Sequence, residues 1–503
     1  MTKKLLEGVK VADFCRVIVG PLTTKTLADY GATVVRIESR KALGFYRTGA
    51  PEPDMSAHFT QWNTGKMGVT LDLTNPKAVE VAKQIVAWAD IVVENFAGGV
   101  MAKLGIGYED LKKVKPDIIM LSSCMQGQTG PFAKHPGWGF QLSALSGFSN
   151  ITGWPDRPPP EIGVYTDFIT PNYNVMIILA ALLHKKKTGE GQYFDTAQFE
   201  TGAQFMMPLI LDYEVNKRIG KRMGNKAAHA APHNAYRCID EYTWVGLPVF
   251  TDIGWEKFSE SLAMMPPPWL KDPKFATIEL RQQNAAELQK CIEEWSINMT
   301  PEQVRMTFER VLTDEEKQKK EIVVDRLSTG IYKPGENPVG TYQCKNEERW
   351  CAIDVSTDEE WRSLCKVIGK PALVDDPKYC TLIARKENEE DLDAIVNEWT
   401  AQRKAEDVMT LLQENGVPAG ILETGEDQLE HDPQTKHRNL FPEMDHPTLG
   451  LHHAVASPFI MSDTPAELTR APLLGEHNEY VFKEILGMSD ENVVELLLAG
   501  ALE

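Results

Sequence analysis

No stretch of this 503-residue chain approaches the roughly 18 uninterrupted apolar residues of a membrane span. The start, Met1-Thr2-Lys3-Lys4-Leu5-Leu6-Glu7, has charge but no apolar core of signal-peptide length. The eight cysteines include no CxxC pair and no disulfide-like spacing, so the expected compartment is reducing and the location cytoplasmic. Positive charge is short as well. Lys and Arg number 53 against 72 Asp and Glu, a net charge of −19. That balance argues against nucleic acid or an anionic membrane as partner, because both require basic patches. A small anionic ligand stays open, since a local cluster of Lys and Arg is enough to bind phosphates. There is no G-x-G-x-x-G fingerprint, so NAD or FAD is not indicated. His229 and His233 stand four apart without a third ligand or a Glu motif, so no metal is expected. They read as loop residues near an active site.

What is present is the composition of a soluble globular protein, 42% hydrophobic and 25% charged, long enough for about three domains. Residues 8–14 and 33–38 read as buried strands, with a helical stretch from Lys25 to Tyr30 between them. Asn75-Pro76 opens a helix, Asn as cap and Pro at the first position. Asp90 to Glu94 and Pro116 to Ser122 read as two more strands. This order predicts an α/β large domain with a parallel, Rossmann-like sheet covered by helices on both faces. Ligands of such sheets bind at strand ends, where Glu94-Asn95-Phe96 and Ser122-Ser123-Cys124 fall.

An internal repeat follows. Tyr236, Cys238, Trp244, Asp252 and Trp255 recur 106 positions later as Tyr342, Cys344, Trp350, Asp358 and Trp361. After a two-residue slip, Pro273 pairs with Pro377 and Trp295 with Trp399. A fixed period marks a duplicated structural unit. The expected layout is a large domain from residues 1–225 and 425–503. Between its two parts lie a small α+β domain over 226–312, a charged linker over 313–335, and a tandem duplicate of the small domain over 336–424.

The sequence Pro158-Pro159-Pro160-Glu161-Ile162-Gly163-Val164-Tyr165-Thr166-Asp167 leads into an apolar helix predicted from Asn174 to His184. On local pattern alone Asp167 reads as an N-terminal cap, since unpaired N–H groups and the helix dipole favour an anion there. Other segments stand in order around it: Leu6-Glu7-Gly8-Val9-Lys10-Val11-Ala12-Asp13-Phe14, Gly20-Pro21, Val34-Val35-Arg36-Ile37-Glu38 and Leu71-Asp72-Leu73. Ala89-Asp90-Ile91-Val92-Val93-Glu94-Asn95-Phe96, Gly127-Gln128-Thr129-Gly130-Pro131, Thr188-Gly189-Glu190-Gly191-Gln192 and Gly416-Val417-Pro418-Ala419-Gly420 continue the series. Taken together, these segments resemble the class III CoA-transferases, the family of formyl-CoA transferase and the carnitine CoA-transferases. Subtracting one copy of the repeat leaves roughly 400 residues, the usual length in that family.

The resemblance implies an enzyme that moves CoA from an acyl-CoA donor to a carboxylic acid, with no permanently bound cofactor and coenzyme A arriving as substrate. It implies Asp167 as the nucleophile, because an ionised carboxylate beside a thioester divides a difficult exchange into easier covalent steps. It places CoA against Arg16, Val17, Leu73, Asn95, Phe96 and Lys103. The family's basic residue after the second strand's Glu is Ser39 here, so Arg40 takes that part. Trp138, Phe140 and Tyr165 are candidates for an acyl pocket that suits an aromatic or branched acid, although core packing explains any one of them equally well. The implied assembly is an interlocked homodimer or a related heterodimer. Two other readings are open. A CoA-dependent racemase needs a Gly-His-Asp sequence where this chain has Gly137-Trp138-Gly139-Phe140, and His135 is out of register. A non-catalytic subunit would have no need of Asp167.

Overall fold

The computed structural model describes residues 4–227, 229–239, 244–263, 266–309, 325–327, 339–346 and 349–503. The chain divides into two compact units, Met1–Arg222 with Gln428–Glu503, and Met223–Asp427. The first holds a separate two-stranded hairpin, Glu443–His446 with Gly450–His453, and six further strands: β1 Lys10–Asp13, β2 Thr33–Glu38, β3 Met67–Thr70, β4 Ile91–Glu94, β5 Ile119–Cys124 and β6 Tyr193–Ala197. They form one sheet in the order β3-β2-β1-β4-β5-β6, every pair parallel. The predicted parallel sheet is therefore present.

Its strands are apolar on both faces because both are covered. Ala12, Val35, Val92 and Met120 join one core, which includes Val81, Ile85 and Phe482. Their neighbours Val11, Val34, Ile91 and Ile119 join the other, with Leu27 and Ile178. Adjacent residues point to opposite faces, so a run such as Val34-Val35 feeds two cores at once. The helices of this unit's N-terminal part are α1 Val19–Asp29, α2 Phe45–Thr48, α3 Ala57–Trp62, α4 Pro76–Trp88, α5 Val100–Lys103 and α6 Tyr108–Val114. They continue as α7 Gly139–Leu145, α8 Phe148–Ile151, α9 Tyr165–Thr188, α10 Gln198–Phe205 and α11 Met207–Asn216. Helix α4 starts as predicted: Asn75 Oδ1 accepts from Lys77 N at 3.0 Å, and Pro76 opens the helix.

Helix α9 departs from expectation. It begins nine residues before Asn174, at Tyr165, and runs through Pro171. Proline is a poor interior residue because it lacks an N–H and its ring crowds the preceding turn. Here the surrounding contacts outweigh that preference. Asn174 Nδ2 donates to Thr23 Oγ1 at 3.2 Å and to Ser123 Oγ at 3.0 Å, and Thr170 and Thr201 hydroxyls meet at 2.7 Å. These bonds tie α9 to α1, β5 and α10. In length and composition α9 could also cross a membrane. Its buried Asn174, bonded on two sides, reads as a core helix instead.

The second unit contains two segments with the same element order. In one, β7 His233–Arg237 and β8 Trp244–Pro248 form a hairpin joined by β9 Asp325–Leu327. In the other, β10 Val339–Gln343 and β11 Trp350–Asp354 form a hairpin joined by β12 Ala419–Ile421. Helices Asp252–Ser261, Ile278–Gln283, Ala285–Ser296 and Pro301–Glu309 follow the first hairpin. Helices Asp358–Val367, Leu382–Glu387, Glu389–Thr400 and Ala405–Glu414 follow the second. Strand β9 falls inside the stretch expected to be linker, because its pairing partner β8 is supplied from far back in the chain. The charged run at 313–320 lies outside the described residues.

Side-chain detail matches too. Arg281 is buried, donates to Asp252 Oδ1 at 2.8 Å and lies over the Trp255 ring at 4.7 Å. Arg385 is buried, donates to Asp358 Oδ1 at 3.2 Å and lies over Trp361 at 4.9 Å. Each arginine also caps a backbone carbonyl, of Phe275 and Tyr379 respectively, at 3.2 Å.

Candidate active site

In a parallel sheet all strands end at one edge. The strand order reverses direction between β1 and β4, and the carboxyl ends at such a switch point are where sheets of this kind bind ligands. Arg16 and Asn95 meet there. The Arg16 N–H donates to Asn95 Oδ1 at 2.7 Å, and Asn95 Nδ2 donates back to Arg16 O at 2.7 Å. The Arg16 guanidinium reaches Ala42 O at 2.7 Å and lies 5.7 Å from the centre of the Phe96 ring. Val17 follows with φ of 63°. A β-branched residue in the left-handed region is strained, and such strain gathers at ligand sites.

Beneath this switch point lies a buried charge network. Asp13 Oδ2 takes Lys66 Nζ at 3.0 Å and the Thr24 hydroxyl at 2.7 Å, and has Arg36 Nη1 at 3.7 Å. Glu38 takes Arg47 through two bonds of 2.9 Å. Arg36 Nε and Nη1 are buried without a hydrogen bond. Arg36 also lines a small pocket with Cys15, Arg16, Glu38, Ala42 and Gly44. Of the other expected CoA contacts, Leu73 and Phe96 are partly buried against the sheet core. Arg40 follows β2, is exposed, and donates to Leu474 O at 3.1 Å. Lys103 ends α5 and is exposed. The residues that follow β1 to β4 therefore share one edge of the sheet.

Asp167 lies at that same edge. A helix that connects parallel strands β5 and β6 runs back along the sheet, so its first turn sits where β5 ends. Asp167 is the third residue of α9 and only 8% exposed. Burial pushes its carboxyl up to about 6, and a hydrogen bond from Gln198 offsets part of the shift. Pro171 has no N–H to donate to the Asp167 carbonyl four residues back. Gly139 opens α7 against the carboxylate. A Cβ there would stand 2.4 Å from Asp167 Oδ2, so only glycine permits this approach.

Trp138, Phe140 and Tyr165 are all about half exposed. They do not pack as one group. Trp138 meets Phe45 edge-on at 5.1 Å, whereas Tyr165 meets Phe148 and Phe205. Sequence reading missed Phe45, Tyr46, Trp62 and Gln198. Burial, and after it the nearby Asp167 charge, raise the pKa of the Tyr46 hydroxyl, while Trp62 partly offsets them. His229 and His233 pack on Phe250 in the second unit, and no cluster of three metal-binding side chains occurs among the described residues.

A buried, ionisable Asp at the strand-end edge of a parallel sheet suits covalent acyl chemistry, and the comparisons with known proteins decide the family. The sequence model described as CoA-transferase family III matches residues 6–313 and again 310–478. The chain belongs to CoA-transferase family III. Among curated relatives, human succinyl-CoA:glutarate CoA-transferase is 25% identical, with 99% of this chain and 90% of the relative covered. The formyl-CoA:oxalate CoA-transferase of Rhodopseudomonas palustris strain BisB18 is 28% identical, covering 99% and 97%. A CAIB/BAIF family protein from Brucella suis has a similar structure, with a TM-score of 0.56 and 25% identity over 96% of this chain and all of that one. The chain is thus a class III CoA-transferase with the α/β architecture of its structural neighbours.

Proposed function

We propose that Asp167 carries the transfer as the covalent nucleophile. Its carboxylate attacks the thioester carbonyl of the donor acyl-CoA, forming a mixed anhydride and releasing the CoA thiolate. The thiolate attacks the aspartyl carbonyl, expels the donor acid and leaves an aspartyl-CoA thioester. The acceptor carboxylate attacks that thioester, giving a second anhydride and the thiolate. The thiolate then takes the acceptor's acyl group and restores Asp167. Bonds balance, and no outside oxidant or base is consumed. The observation that carries this reading is the buried carboxylate, raised to about 6, at the sheet edge. Poor solvation makes it more nucleophilic, yet roughly nine-tenths of it is ionised at pH 7. Incubation with acyl-CoA and no acceptor is expected to leave a CoA-thioester mass on the peptide that contains Asp167. Adduct on a different residue overturns the assignment.

CoA is proposed to lie over Arg16, Val17, Asn95 and Phe96, with Arg40 and Lys103 near its phosphates and Leu73 against its apolar parts. Removal of either exposed cation is expected to raise KM for acyl-CoA roughly tenfold with little change in kcat, the pattern of lost uniform binding. Steady-state kinetics of Arg40→Ala and Lys103→Ala check this. The subunit is proposed to act as a dimer. Leu183, Ile210, Leu211 and Val215 of α9 and α11 are 47% to 75% exposed, an apolar surface that a second copy would cover. Sedimentation at the monomer mass would count against it.

The tandem small domain is proposed to be a true duplication. Support comes from the shared element order and the paired Arg281–Asp252–Trp255 and Arg385–Asp358–Trp361 contacts. Arg281→Met and Arg385→Met are expected to destabilise the chain alike, by about 3 kcal/mol each, since each leaves the same buried carbonyl unpaired. Denaturant titration measures both. A large loss at one site and none at the other would contradict equivalent cores.

A further inference from the structure

Near Asp167, Trp62 and Tyr46 present two hydrogen-bond donors. Trp62 ends α3, and its Nε1 is buried without a hydrogen-bond partner. It sits against the Tyr46 oxygen and eases its ionisation, although the contact falls short of good hydrogen-bonding geometry. The Tyr46 hydroxyl stays protonated at neutral pH and feels the Asp167 charge. A buried N–H and a retained O–H beside a nucleophile are poor packing for an empty site. They are good packing for a ligand carboxylate, which offers only acceptors.

The walls around these donors are aromatic. Phe45 stands edge-on to Trp138, at 5.1 Å and 61°, and to Tyr46, at 5.3 Å and 67°. Trp62 stands edge-on to Phe168 at 6.0 Å and 69°. Trp138 immediately precedes Gly139, which touches Asp167. Phe45, Trp138 and Phe168 are each about half exposed, so their faces are available to a ring. Charge points the same way. The causes of the Asp167 shift are burial and the Gln198 bond, with no Lys or Arg among them. A dicarboxylic acid would bring a second carboxylate into this neighbourhood with no Lys or Arg beside Asp167 to receive it and only the His58 imidazole, 5.3 Å from the Tyr46 ring, at hand, which is costly in a desolvated site.

We propose that this site binds the acceptor acid and selects an aromatic monocarboxylic acid, its ring against Phe45 and Trp138 and its carboxylate held by the Tyr46 hydroxyl and the Trp62 N–H. The proposal rests on the CoA-transfer reading and narrows it. It sets this chain apart from the relatives named for glutarate and oxalate.

The test uses the full chain. Succinyl-CoA, formyl-CoA and acetyl-CoA are screened first for formation of the aspartyl-CoA adduct. The loaded enzyme then meets phenylacetate, cinnamate, glutarate and oxalate, with the new acyl-CoA quantified by mass spectrometry. An aromatic acid is expected to exceed glutarate and oxalate in kcat/KM by roughly 100-fold, the cost of one unpaired desolvated carboxylate. Trp138→Ala and Trp62→Phe are each expected to raise KM for the aromatic acid about tenfold while adduct formation persists. Glutarate or oxalate accepted as well as the aromatic acids would overturn the proposal. So would unchanged KM in both variants, including the case where Trp138→Ala alters only sedimentation because a second copy covers that ring. Failure of every acyl-CoA to form an adduct sinks the transfer reading itself, and the acid site with it.

Discussion

Asp167→Ala is expected to lower transfer turnover by at least about 10⁴-fold, the scale seen when a covalent nucleophile is removed. The fold should survive, because Asp167 accepts a bond from Gln198 but has no charge partner. Hydroxylamine added during turnover of the unaltered chain should convert Asp167 to its hydroxamate. A normal rate in the variant removes Asp167 from the chemistry. The same burial has a second consequence. The carboxyl stands at about 6 when folded against 3.8 as its ordinary value. Between those values the unfolded chain ionises it and the folded chain does not, so stability falls as pH rises through that window. At pH 7 the buried charge costs up to about 3 kcal/mol. Asp167→Asn is therefore expected to unfold at higher temperature than the parent at pH 7, and to show no advantage below pH 4. In the parent, kcat/KM for acyl-CoA should fall tenfold per pH unit below about 6.

How much of this was legible in the sequence differs by region. The sheet was, because strands fed by two cores must be apolar throughout, as Val34-Val35 and Ile91-Val92 are. The strand-end position of Asn95 followed from the strand limits alone. The start of α9 was not legible: Pro171 looks like a barrier, and only Asn174, Thr170 and their partners on other elements explain why the helix passes it. Phe45, Tyr46 and Trp62 were missed because they sit on two very short helices with little periodicity, and they reach the site only through long-range contacts. Arg281 and Arg385 share the register that paired the tryptophans, and inspection of charged as well as aromatic positions would have found them.

The largest stability loss is expected at Asp13. This carboxylate is fully buried and holds Lys66 Nζ at 3.0 Å, with the Thr24 hydroxyl and the Cys15 N–H as further donors. Lys66 is equally buried, and desolvation already lowers its ammonium to about 8 although Asp13 opposes the shift. Asp13→Ala removes that opposition and strands the ammonium in the core, leaving Arg36 with Glu38 as its remaining anion. Breaking such a pair on one side costs about 3–5 kcal/mol, a large share of the 5–15 kcal/mol typical of a folded domain. Calorimetry should register a fall in Tm of roughly 10 °C. Asp13→Ala combined with Lys66→Met is expected to recover part of the loss, because the orphaned charge is what destabilises. No recovery would mean that the cost lies in the lost Thr24 and Cys15 bonds. The binding edge should suffer along with the fold, since Cys15 and Arg16 follow Asp13 within three residues and line a small pocket with Arg36. At a temperature where the single variant is still folded, its KM for acyl-CoA should rise more than its kcat falls. That split separates a loosened binding edge from a damaged nucleophile, which lies on α9 and makes no bond to this network.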